Sequence, residues 1–192
     1  GDDTSLSYRI NEADEYGVAQ IAGSSGIKGQ APNSETATAV VWEVGPGADG
    51  TLELLSGPVG VGTPAGAYST GFAINNLGDV CGESDTWPFV ALSGGTAEPL
   101  AGLGNADTGS ASDLNDVGQI VGDLHVWKKP LPGFRAILWD NGQPIELGKK
   151  VSLTRWDRLE SAQEIYNAGL IAGVGTFLDF ISEGGAFVLI PK

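Results

Sequence analysis

One nine-residue pattern returns along this chain, each copy followed in the same order by a second pattern that recurs at nearly constant interval, and that recurrence restricts the fold more than any other feature. It reads apolar, Asn, two residues, Gly, one residue, aliphatic, small, Gly. Copies run Ile74-Asn75-Asn76-Leu77-Gly78-Asp79-Val80-Cys81-Gly82 and Leu114-Asn115-Asp116-Val117-Gly118-Gln119-Ile120-Val121-Gly122. A third is Ile165-Tyr166-Asn167-Ala168-Gly169-Leu170-Ile171-Ala172-Gly173, and a looser first copy begins Ile10-Asn11 and ends Gln20-Ile21-Ala22-Gly23. A second pattern follows each: Ala39-Val40-Val41-Trp42, Phe89-Val90-Ala91-Leu92, Ala136-Ile137-Leu138-Trp139 and Ala186-Phe187-Val188-Leu189. The last residues of these four lie 50, 47 and 50 positions apart. A fixed period of this size is the mark of a repeat architecture.

Each repeat predicts a small antiparallel sheet. Asn-x-x-Gly between apolar runs is turn chemistry, because Asn and Gly accept positive φ and Asn bonds its own backbone nearby. The runs at 39–44 and 135–140 are β-branched and aromatic, as strands prefer. Asp140-Asn141-Gly142 predicts a hairpin turn into a further strand over Pro144–Leu147, and Ala48-Asp49-Gly50 with Thr51–Leu55 repeats that arrangement. Arg158–Glu164 could be helical, but its alignment with Gly109–Asp113 predicts strand. The expected fold is therefore all-β: four repeats of short antiparallel strands, β-propeller-like, with four small blades. They form a single repeat domain over 1–192, with units at approximately 4–56, 67–103, 108–148 and 158–192. The last unit is one strand short, and Thr4–Ser7 could supply its edge by ring closure.

Charge excludes one class of partner. The net charge is −14, the wrong sign for gathering phosphates, so no nucleic acid is expected and an anionic membrane surface is disfavoured. The imbalance is uneven: residues 1–96 carry 12 acids against the two bases Arg9 and Lys28, a net of −10, whereas 97–192 carry 12 acids against eight bases, a net of −4. No run approaches about 18 apolar residues, so the chain is not expected to span a membrane. Gly1-Asp2-Asp3, with no methionine anywhere, reads as a processed mature end. The expected location is extracellular, cell-surface or periplasmic.

The two patterns together resemble the HAF extracellular repeat family, whose units read approximately Leu-Gly, then Ser-x-Ala-x-x-Ile-Asn-x-x-Gly-x-Val-Val-Gly, then His-Ala-Phe-Leu-Trp and a hairpin. The fullest match is Leu103-Gly104 through Ser110-Ala111-Ser112-Asp113-Leu114-Asn115, Gly118–Gly122 and Arg135-Ala136-Ile137-Leu138-Trp139-Asp140-Asn141-Gly142. The second unit matches at Phe72-Ala73-Ile74-Asn75, and the fourth at Ser161-Ala162 and Gly185-Ala186-Phe187. The family's His is replaced by Thr38, Pro88, Arg135 and Gly185. The resemblance implies an exported, repetitive β protein and carries over no catalytic residue.

Candidate chemistry is sparse. His125 is the only histidine, in the long segment Asp123–Phe134, and no neighbouring pattern supplies a nucleophile. Cys81, the only cysteine, aligns with Ala22, Val121 and Ala172 and reads as buried filler; one thiol allows no intrachain disulfide. Asp49, Asp79, Glu83, Asp116 and Asp140 sit in or beside turns without a calcium-loop spacing. No catalytic residue, metal ligand or cofactor is expected. The departure from the repeat is more telling: Lys128, Lys129, Arg135, Lys149, Lys150, Arg155 and Arg158, seven of the ten cations, fall between 128 and 158 with Trp127 and Trp156 among them. Longer loops on repeat scaffolds carry binding, and Trp and Arg anchor interfaces. The expected binding residues are Trp127, Lys128, Lys129, Arg155, Trp156 and Arg158.

These observations predict a non-enzymatic, exported β-repeat module that serves as a structural or protein-binding subunit of a larger extracytoplasmic assembly. A carbohydrate-binding module is the first alternative, with a glycan as partner. A carboxylate-based glycan hydrolase or lyase is the second.

Overall fold

A computed structural model describes residues 5–26, 37–64, 66, 68–104, 106–127, 132–178 and 180–191. It is all-β, with four antiparallel sheets built in chain order. The first sheet holds β1 (Ser5–Ile10), β2 (Ala19–Ser25), β3 (Thr38–Pro46) and β4 (Leu52–Gly62). The second holds β5 (Ser69–Ile74), β6 (Val80–Ser84), β7 (Trp87–Ala91) and β8 (Glu98–Pro99). The third holds β9 (Ala106–Leu114), β10 (Ile120–Val126), β11 (Gly133–Asp140) and β12 (Gln143–Glu146), and the fourth β13 (Trp156–Ile165), β14 (Ile171–Phe177) and β15 (Phe180–Leu189). Strands follow one another across each sheet as a meander. The stretch 158–164 is strand, as its alignment required.

The chain divides into two compact units, Gly1–Asp85 with Phe89–Pro99 and Thr86–Pro88 with Leu100–Lys192. Each contains a pair of repeats. In the first unit Ala22, Ala39, Ile74, Val80, Phe89 and Ala91 form a core. In the second the core is Val121, Ala136, Leu147, Leu159, Ala162, Ile165, Ile171 and Phe187. The aliphatic residues of both recurring patterns thus do the packing, and Cys81 is buried at its place in the series.

The two glycines of the nine-residue pattern do different work. Gly78, Gly118 and Gly169 have φ of +83°, +80° and +79°, and their amides donate to the carbonyls of Asn75, Asn115 and Tyr166 three residues back. Only glycine takes this turn without strain. The closing glycine is a matter of space. A Cβ on Gly23, Gly82, Gly122 or Gly173 would strike the backbone carbonyl of Leu6, Thr70, Ser110 or Ser161, in each case on the strand alongside. The ladder between the first two strands carries a register shift in every sheet, so the bulge and the glycine come together.

The asparagine joins repeats. In the first unit Asn11 Nδ2 donates to the Asn75 carbonyl at 3.1 Å, and the Glu12 amide donates to Asn76 Oδ1 at 2.9 Å. In the second unit Asn115 Nδ2 donates to the Tyr166 carbonyl at 3.2 Å, and the Asp116 amide donates to Asn167 Oδ1 at 2.8 Å. The same two bonds, from the same two positions, tie the first repeat of each pair to the second.

Three expectations change. The strand read as Thr51–Leu55 runs on to Gly62, because Gly57-Pro58 occupies a register shift on an edge strand, where proline's missing amide costs no ladder bond. Half of the segment Asp123–Phe134 is strand, with β10 reaching Val126 and β11 starting at Gly133. Of the residues expected to supply the fourth unit's edge, Ser5, Leu6 and Ser7 pair with Ser25, Ser24 and Gly23 inside the first sheet. The fourth sheet has three strands; Thr4 lies outside the described residues.

Candidate functional site

The third and fourth sheets, both in the second unit, each have an end where the Asn-type turn lies and an end away from it. The expected binding residues gather at the second end. β10 and β11 pair there through Leu124 with Arg135, His125 with Phe134 and Val126 with Gly133. Alternation along a strand puts His125 and Trp127 on one face, and register adds Phe134 to it. The His125 ring lies 4.0 Å from Trp127, edge-on at 84°, and 4.5 Å from Phe134 at 48°. Trp127 is 63% exposed and Phe134 48%. Three rings therefore form one patch open to solvent.

Arg158 of β13 anchors the hairpin that carries this patch. Its Nη1 donates to the Pro132 carbonyl at 2.9 Å, while Nε lies 3.0 Å from Asp157 Oδ2 and 3.7 Å from Glu160 Oε1. Arg135 is held in the same way, with Nε 3.6 Å from Glu146 Oε1 and Nη1 donating to the Phe134 carbonyl. Lys149 takes the other Glu146 oxygen at 2.7 Å. Arg135, Lys149 and Arg158, three of the seven cations, are thus paired with carboxylates of their own unit.

Of the six expected residues, Trp127 is exposed beside His125, and Arg158 joins β13 to the hairpin. Trp156 turns the other way, stacked on Phe177 at 4.4 Å and 28°, edge-on to Phe187 at 6.2 Å, and packed against the unit's core. It holds the fourth sheet together. Arg155 is exposed and its carbonyl accepts the Leu178 amide. Lys128 and Lys129 lie outside the described residues. His125 and Phe134 complete the patch although neither was expected in it; the signal was the period-two spacing of His125 and Trp127, which a strand would align.

Beneath the patch on β10 is Asp123, whose Oδ2 accepts the Ser110 and Ser161 hydroxyls, each at 3.3 Å. The carboxylate so links β9 and β13. Burial raises its pKa above the ordinary carboxylate range, against the opposing pull of the two hydroxyls and the His125 charge. Among the described residues no group of three or more His, Cys, Asp or Glu side chains is placed to hold a metal ion, and no helix is long and apolar enough to cross a membrane. Comparison with protein-family models and with curated proteins finds no match to this chain.

Proposed function

We propose that this chain is an exported, non-enzymatic β-repeat module that serves as a structural or protein-binding subunit of a larger extracytoplasmic assembly, and that it meets its partner protein through the aromatic patch. The observation that carries this reading is the exposure of Trp127 and Phe134 around His125. Large rings stranded in water cost free energy that a partner surface recovers, and interface energy concentrates in such anchors. A meander of small sheets suits the role because it holds His125 and Phe134 on paired strands, with Trp127 directly after β10. The HAF-like pattern and a propeller-like arrangement of four blades belong to the same proposal.

The test is a photo-crosslinking residue at position 127, with a second copy of the protein carrying it at Ala48 in an exposed turn of the other unit. Ultraviolet light in the source envelope should give a discrete protein adduct from position 127 that Phe134→Ala abolishes. The same adducts from both positions, or none from 127, overturn the reading. The same rings could stack on sugars, which favours a glycan as the second reading. Retention on a glycan array that Trp127→Ala abolishes, with no protein adduct, would decide for it.

A further inference from the structure

Away from the aromatic patch, the first unit contains a cleft of about 380 Å³ between β3, β4 and the turn after β7. That is the small end of the range for ligand pockets, enough for one compact molecule. One part of its lining is aliphatic, with Val41, Val59, Val61 and Leu92, and its polar groups include Gln20, Glu43 and Ser56. Gly78 keeps it open at one side, since a Cβ there would come within 2.8 Å of Gln20 Oε1 and 2.9 Å of Ser93 Oγ.

The group that needs explaining is Glu43. Its carboxylate is half-buried in this aliphatic setting. Gln20 Nε2 donates to Oε1 at 3.3 Å and the Ser56 hydroxyl donates to Oε2 at 2.8 Å. These bonds fix the carboxylate's position but bring no positive charge, and among the described residues no cation pairs with it. Each oxygen retains a lone pair for a further donor. A carboxylate held in one orientation in a cleft, with no cation beside it among the described residues, suits a cationic donor. The field agrees, for residues 1–96 carry a net charge of −10. An anion is repelled, and a sugar finds no ring to stack on, since none of the lining residues is aromatic.

We infer that this cleft binds a small aliphatic ammonium compound, its nitrogen on Glu43 and its hydrocarbon stem along Val41, Val59 and Val61. This site is independent of the protein-binding reading above and stands or falls separately. Titrating the full chain with 1,5-diaminopentane at physiological salt, followed by calorimetry and by backbone amide shifts, tests it. Binding should be saturable and shift amides of β3, β4 and residues 92–96, while 1,5-pentanediol, the neutral counterpart, should bind at least about tenfold more weakly, the difference made by a charge-assisted hydrogen bond. Glu43→Gln should lose the same tenfold, whereas Glu15→Gln, on an exposed loop, should change nothing. A blocked lysine tripeptide separates the sources of the ammonium: weaker binding than the diamine supports the free compound, and tighter binding overturns it in favour of a protein side chain. Equal binding of diol and diamine, or shifts scattered over the exposed acids, overturns the site, and the shift map does so even if Glu43→Gln fails to fold.

Discussion

Replacing Asn115 by Ala tests the joint between repeats. Asn115 is 3% exposed. Its Oδ1 accepts the Gln119 amide at 2.9 Å and the Val117 amide at 3.3 Å, and its Nδ2 donates to Gln119 Oε1 at 3.0 Å and to the Tyr166 carbonyl at 3.2 Å. Val117 is 68% exposed, so water replaces its bond, and the Gln119 side chain can turn toward solvent. The Gln119 amide and the Tyr166 carbonyl are left to lose a partner. At about 1–1.5 kcal/mol each, the cost is roughly 2–3 kcal/mol. For a cooperative unit of up to 100 residues that corresponds to a drop of roughly 10–20 °C in the transition of the second unit. Differential scanning calorimetry measures it directly. Tyr166→Asn is the reciprocal: an Asn there would offer the Leu170 amide the acceptor that Asn115 offers Gln119, and since Tyr166 is 64% exposed nothing packed is lost, so a gain of up to about 1 kcal/mol is expected. An Asn115→Ala protein that melts within about 2 °C of the parent would refute the account of the joint.

Two further outcomes follow. Gly82→Ala drives a methyl into the Thr70 carbonyl and should cost roughly 3 kcal/mol or more, read by chemical denaturation, whereas Gly104→Ala, with open space around its Cβ, should cost well under 1. Asp123 has a folded-state pKa raised by burial, so the folded protein holds its proton more tightly than the unfolded chain. Its contribution to stability is therefore greatest below the ordinary carboxylate pKa of about 3.9 and is lost as pH rises through the folded value. Asp123→Asn should remove that part of the pH dependence without lowering stability at neutral pH; a pH profile of melting temperature parallel to the parent's contradicts it.

What the sequence made legible was what is decided locally. Asn-x-x-Gly reads as a turn because Asn75 and Gly78 satisfy their own backbone within four residues, and Asn141-Gly142 reads as a hairpin because both take positive φ, +50° and +73°. What depended on a second strand was not legible. The closing glycine was visible as a recurrence, but its reason is the carbonyl of the strand alongside. That β4 runs on past Leu55 depends on its place at the sheet edge, where Pro58 costs no ladder bond. Trp127 and Trp156 looked equivalent in a run of cations, yet one faces water and the other stacks on Phe177, a distinction made by β14 rather than by neighbours in sequence. The cleft around Glu43 draws on β3, β4 and the turn after β7 at once, and no local pattern announces it.

The bonds from Asn115 and Asp116 to the fourth repeat divide the labour between the two ends of those sheets. At the turn end Asn115 and Asp116 bond residues of the following repeat, so a change at either is felt in two repeats together. At the far end Arg158 of β13 reaches the Pro132 carbonyl just before β11. A scaffold of this kind fastens repeat to repeat at one end, and the exposed rings lie at the other.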